Sequence, residues 1–147
     1  MKWIGDLLKA KGHQVWCVRP TDSVLDAIKL MAEKEIGALA VTDGDRVEGI
    51  FSERDYTRKV ILRGRSATTT TVRDVMTTKV AVVDPQKTVE ECMALMTHMH
   101  VRHLPVMDGG KLAGMISIGD LVKAIIAEQK FVIEQLENYI YGTPSTR

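Results

Sequence analysis

The chain repeats itself. Displacing the sequence by 65 residues lays Pro20–Ile61 on Pro85–Ile126 without a gap, and 12 of the 42 aligned positions are identical. They include Pro20/Pro85, Val24/Val89, Leu39/Leu104, Gly49/Gly114, Ser52/Ser117 and Asp55/Asp120. Typical residue frequencies give about 2 or 3 chance identities over such a stretch. The duplication constrains the fold because one unit of roughly 60 residues buries only a marginal core and leaves a small sheet half covered. Two units therefore have to complete each other.

Both units carry the same local signals. A short apolar run, Val15–Val18 or Val80–Val83, suits a buried strand. Ser23 or Thr88 then stands as a helix N-cap. Apolar residues at helical spacing follow, Val24, Ala27, Ile28 and Met31 in one unit and Val89, Cys92, Met93 and Met96 in the other. A second strand, Leu39-Ala40-Val41 or Leu104-Pro105-Val106, ends in Asp-Gly, a hairpin dipeptide. The third strand, Val47–Phe51 or Leu112–Ile116, leads to a closing helix that begins near Asp55 or Asp120. The spacing thus predicts a mixed α/β (α+β) fold of two β-α-β-β-α repeats, packed sheet to sheet about a pseudo-twofold axis. Matching short helices precede the repeats at Ile4-x-Asp6-Leu7-Leu8 and Val72-x-Asp74-Val75-Met76, and Thr-rich Gly64–Thr71 reads as the linker. The expected divisions are 1–65, a linker at 66–71, 72–128, and a helical extension and tail at 129–147.

Composition excludes several functions. With 20 Lys+Arg against 19 Asp+Glu the formal charge is +1, which gives no attractive field for nucleic acid or an anionic membrane. Seven aromatic residues do not furnish a base-stacking platform. Cys17 and Cys92 form no C-x-x-C pair. Charge interrupts Met1–Lys9 before a signal-peptide core forms, and no run of 18 apolar residues offers a membrane span, so a cytoplasmic protein is expected.

Val72-Arg73-Asp74-Val75-Met76-Thr77, Arg102-His103-Leu104-Pro105-Val106, and the twin signatures Gly49-x-x-Ser52-x-x-Asp55 and Gly114-x-x-Ser117-x-x-Asp120 together resemble the tandem CBS-domain pair, or Bateman module. The resemblance runs to about Glu128. It implies a sensor rather than an enzyme, with adenosine ligands (AMP first, also ADP, ATP, NAD or S-adenosylmethionine) held in clefts between the units. It also implies a homodimer.

The signature has chemistry of its own. Glycine lets the third strand approach another backbone or a ligand. Ser52 and Ser117 stand at the strand-to-helix junction, where a hydroxyl can meet a phosphate or ribose oxygen. Asp55 and Asp120 fall in the first helical turn, where free N–H groups favour anions and a carboxylate can accept a ribose diol. The same spacing also writes a capping box. Between Ser and Asp the copies diverge: Arg54 offers the first a phosphate-binding cation or a solvated helix residue, and Gly119 stands in the second. Two unequal sites are expected, both able to take an adenosine ligand.

By resemblance, basic phosphate contacts fall on Val101, Arg102 and His103, with Pro105 in the same motif and Ile36, Gly37 and Ala38 as the first unit's counterparts. Lys79, Val80 and Ala81, with Gln14, Val15 and Trp16, match the strand-entry segment that lines an adenine pocket. Trp16 would stack on a base or serve the core, and Thr77 would donate to phosphate or cap a helix. His98, His100 and His103 lack metal-ligand spacing, and Met93, Met96 and Met99 fit a core. Beyond the repeats, Leu121–Tyr141 continues as a long helix, ended at Gly142-Thr143-Pro144, whose apolar stripe implies a partner. The alternative to nucleotide sensing is a protein-interaction adaptor with vestigial clefts, working on an effector protein through that helix.

Overall fold

The computed structural model describes residues 2–142, so Thr143 and Pro144, expected to end the last helix, lie outside the described residues. Helix α1 (Ile4–Lys11) leads to strand β1 (Cys17–Val18), helix α2 (Val24–Lys34), and the hairpin β2 (Ala38–Asp43) and β3 (Arg46–Ser52). Helix α3 (Glu53–Asp55) runs on into a widened segment, Tyr56–Ile61, with i→i+5 bonds such as Leu62 N–H to Thr57 O at 3.0 Å. The second half comprises α4 (Val72–Val75), α5 (Val89–Met99), the hairpin β4 (His103–Asp108) and β5 (Lys111–Ser117), and α6 (Ile118–Tyr141). The fold is mixed α+β with two small sheets, β1-β2-β3 and β4-β5.

Local sequence accounts for most of these elements. Ser23 and Thr88 accept from Asp26 and Glu91 N–H to cap α2 and α5. The β4–β5 hairpin turns on Gly109 and Gly110, both in the left-handed region (φ +59° and +80°), as a primed two-residue turn requires.

The second unit departs from expectation at its first strand. Val80–Val83 forms only a single parallel bridge, Val83 to Val106. In the first unit Ala40 N–H donates to Trp16 O at 3.3 Å, tying β1 to β2. The aligned pair is Pro105 and Ala81, and proline has no N–H to give. The ladder stops there, and only Val83 N–H to Pro105 O (3.0 Å) and Met107 N–H to Val83 O (2.8 Å) remain.

The short leading helices are exchanged between the units. Ile4, Leu7 and Leu8 of α1 are buried with Val83, Val89, Cys92, Met96, Leu104 and Leu121 of the second unit. Val72 and Val75 of α4 are buried with Val18, Val24, Met31, Leu39 and Phe51 of the first. The same three hydrogen bonds fix each exchange. Ile4 N–H to Lys87 O, Gly5 N–H to Pro85 O and Val89 N–H to Lys2 O match Val72 N–H to Asp22 O, Arg73 N–H to Pro20 O and Val24 N–H to Thr70 O. The Thr-rich segment read as a linker is therefore docked at the start of α2, with Thr70 buried and Leu25 N–H bound to Ala67 O.

Gly49 and Gly114 permit these exchanges at different contacts. A Cβ on Gly49 would lie 2.6 Å from the Thr77 carbonyl oxygen, and one on Gly114 would lie 2.6 Å from Leu8 Cδ2. Backbone yields less readily than the end of a leucine. Gly49→Ala is thus expected to lower the unfolding free energy by about 1–3 kcal/mol, and Gly114→Ala by clearly less. Urea denaturation of both variants checks this, and equal losses would contradict it.

Candidate ligand cleft and its counterpart

β3 ends at Ser52, and its last turn outward delivers a complete capping box. The Ser52 hydroxyl accepts from Asp55 N–H at 3.2 Å, and Asp55 Oδ2 accepts from Ser52 N–H and Oγ–H, each at 3.0 Å. The other carboxylate oxygen, Oδ1, faces away from the cap. It accepts from Thr77 Oγ1 at 2.9 Å and pairs with Lys59 at 3.0 Å, while the carboxylate itself is buried. The capping box and an outward-facing carboxylate oxygen coexist in one residue.

Around this point lies a cavity of about 530 Å³, within the range of small-molecule sites. Of the residues anticipated from sequence, it gathers Gly37, Ser52, Arg54, Asp55, Thr77, Lys79, Val80, Ala81, Val101, Arg102 and His103. They come from both halves of the chain, and the exchange of α4 brings Thr77 against β3, where it bridges Ile50 in both directions (2.8 and 3.0 Å). Sequence reasoning missed Ile50, Glu53, Arg58, Lys59 and His100. Lys59 carried a usable signal, since it stands at i+4 from Asp55. Five permanent cations (Arg54, Arg58, Lys59, Lys79 and Arg102) face two carboxylates, Glu53 and Asp55, so this wall is far more positive than the chain as a whole. Pro105 does not line the cavity; having no N–H, it gives the Ala81 carbonyl no counterpart of the bond that Trp16 O accepts from Ala40.

The remaining anticipated residues lie elsewhere. Gln14 is exposed, and Trp16 packs on the first core with Lys34 Nζ 4.3 Å from its ring centroid; Val15 stands between them, half-buried. Ile36 lines a smaller hollow beside Ile28 and Met31, and Ala38 is buried in β2. Ser117, Gly119 and Asp120 open α6, where Ser117 and Asp120 form a second capping box. There the Asp120 carboxylate is held by Lys11 at 2.6 Å. The two carboxylates thus have different partners.

Electrostatics distinguish them further. Burial pushes the His103 imidazolium down, Lys11 and Arg102 push the same way, and Asp120 opposes them. Burial alone would raise the Asp120 carboxyl, but the Lys11 and Ser117 hydrogen bonds and the Lys11 charge bring it below its ordinary value. Burial raises the Cys92 thiol to about 11, which leaves it an inert core residue. Among the described residues no three His, Cys, Asp or Glu side chains are grouped so as to hold a metal ion.

His103 has a consequence for stability. Below its ordinary value of 6.5 the unfolded chain takes up the proton first, because the folded value is lower. The contribution is fully present above 6.5 and is lost as pH falls below it. Unfolding free energies measured between pH 7.5 and 5 are expected to fall more steeply in the wild type than in His103→Gln; parallel profiles would contradict the assignment.

Comparison with known proteins agrees with this architecture. The CBS domain family matches residues 5–61 and 72–127. The mitochondrial CBS domain-containing protein CBSX3 of Arabidopsis thaliana is 40% identical over 149 residues, covering 95% of this chain and 72% of its own. A solved protein with CBS domains from Burkholderia ambifaria is 56% identical with a TM-score of 0.84, covering 87% of this chain and 96% of that one. The CBS domain pair of protein MJ0100, solved with 5′-methylthioadenosine and S-adenosyl-L-methionine, shares the fold at 18% identity (TM-score 0.77; 87% and 98% covered). With the exchanged helices, twin capping boxes and both family matches in place, this chain belongs to the CBS-domain family as a tandem pair.

Proposed function

We propose that the chain is a regulatory module that binds an adenosine nucleotide, AMP foremost, in the cleft around Asp55 and conveys its bound state to a partner protein, with no catalytic step. The observation that carries this is the cleft itself, which joins a buried carboxylate and five permanent cations. In this reading a ribose diol takes the place of the Thr77 hydroxyl on Asp55 Oδ1. Val80 and Ala81 flank the adenine, and the Ala81 carbonyl accepts from its amino group. Arg54, Arg58, Lys79 and Arg102 face the phosphate. The adenosine compounds in the MJ0100 pair support the ligand class. The cations on this wall favour a phosphate-bearing member over neutral methylthioadenosine or a cationic sulfonium.

Thermal denaturation tests this directly. Ligand at 100 times its Kd adds about 2.7 kcal/mol, and for a chain of this size that raises Tm by about 5–10 °C. AMP, ADP, ATP and NAD should give such shifts and methylthioadenosine a smaller one; no shift with any of them would overturn the reading. Arg102→Ala should weaken AMP by about 1–2 kcal/mol, roughly fivefold to thirtyfold, without changing Tm in the absence of ligand.

Alternatively the module works chiefly through α6. Ile126, Phe131, Val132, Ile133, Leu136 and Ile140 are all exposed, and Ile61 and Ile126, equivalent residues of the two closing helices, are 54% and 58% exposed. We propose that a second copy covers this surface, with an effector protein as the other candidate occupant. Light scattering of the full chain and of a chain ending at Ile126 should show the dimer mass lost on truncation; the same mass for both would remove α6 from the contact.

A further inference from the structure

The two signatures are held by different chemistry. In the first, Thr77 makes two contacts, N–H to Ile50 O at 2.8 Å and Oγ1–H to Asp55 Oδ1 at 2.9 Å. The aligned residues in the second unit are Met115 and Asp120, and one group reaches both, taking at Asp120 the oxygen Oδ2 that also accepts from Ser117 N–H. Lys11 Nζ donates to Met115 O and to Asp120 Oδ2, each at 2.6 Å.

Helix length explains the replacement. Helix α4 stops after four residues and frees Thr77 to bridge β3 as extended chain, whereas α1 runs for eight. The additional turn of α1 puts Lys11 at i+7 from Ile4, on the stripe that buries Ile4, Leu7 and Leu8. Leu8 lies against Gly114 on β5, so packing of the stripe directs the following ammonium along the same strand. His13 ties the next residues down with Nδ1 3.3 Å from Ala113 O. Lys11 is aimed, and it is a cation on the carboxylate that a ribose would have to engage.

The geometry points to Lys11 as a tethered occupant of the second site, the residue that limits the chain to one adenosine nucleotide. The inference rests on the function proposed above for the Asp55 cleft. An intramolecular ammonium is present at high effective concentration, and it satisfies both acceptors at once. A nucleotide at Asp120 would meet an ammonium fixed at 2.6 Å to both the carboxylate and the Met115 carbonyl, whereas at Asp55 it replaces a neutral hydroxyl beside Lys59, which stands 3.0 Å from Oδ1 and whose other contact is that same hydroxyl at 3.4 Å.

Calorimetry and native mass spectrometry with AMP, ADP and ATP should find one bound per wild-type chain and two per Lys11→Met chain, with Lys11→Arg remaining at one. Lys11→Gln guards against a folding defect, since its amide can still donate to Met115 O while the charge on Asp120 is gone; it too should bind two. Two equal sites in the wild type, or one in both Lys11→Met and Lys11→Gln, would overturn the role of Lys11. A single nucleotide gained by Lys11→Met where the wild type binds none would support that role while removing the function proposed for the Asp55 cleft. Absence of binding in every chain would overturn both.

Discussion

The reciprocal exchange of α1 and α4 is the constraint on which the rest of the molecule depends. Each unit supplies a sheet and two helices but leaves one face of its core open. Ile4, Leu7 and Leu8 close the second core and Val72 and Val75 close the first. Burying such side chains is worth about 1.5–3 kcal/mol each, and the donated residues come from across the pseudo-twofold. Neither core is complete without the other half of the chain. The cleft follows from the same exchange, because Thr77 reaches Asp55 only as the continuation of a helix seated in the first unit.

Within that frame, the acidic residue of the first signature does two jobs with two oxygens, whereas Asp120 takes both its cap and Lys11 on Oδ2. One oxygen of Asp55 closes a capping box and the other is presented to the cleft. The choice between a structural and a binding role, which the spacing alone leaves open, is therefore not exclusive. Lys59 pairs with the presented oxygen and four more cations line the same cavity, even though the chain carries a net charge of only +1. Any attraction for an anion here rests on this local concentration of charge, since long-range attraction is screened within about 8–10 Å at ordinary ionic strength.

Much of this was legible from sequence because it rests on local or repeated signals. The duplicated signature located its own two capping boxes, the Ser23 and Thr88 caps stood where their residue types require, and each hairpin turned just after the expected Asp, at Gly44-Asp45 and Gly109-Gly110. What escaped depends on chain crossing. Nothing between residues 1 and 16 announces that α1 serves the other unit, so Lys11 at Asp120 was not foreseen. Trp16 could stack or pack, and only the folded arrangement shows its ring against the first core under Lys34. The strand expected at Val80–Val83 failed for a reason visible in the sequence, the proline aligned with Ala40, although apolar content alone favoured it.

That proline gives the asymmetry of the halves a dual character. What Lys11 does at Asp120 is ionic and answers to salt and to competing ions. What Pro105 does to Ala81 is the absence of an atom, and no change of solvent restores an N–H that the residue never had. One difference between the two halves is therefore adjustable by conditions, and the other is fixed covalently by the imino acid.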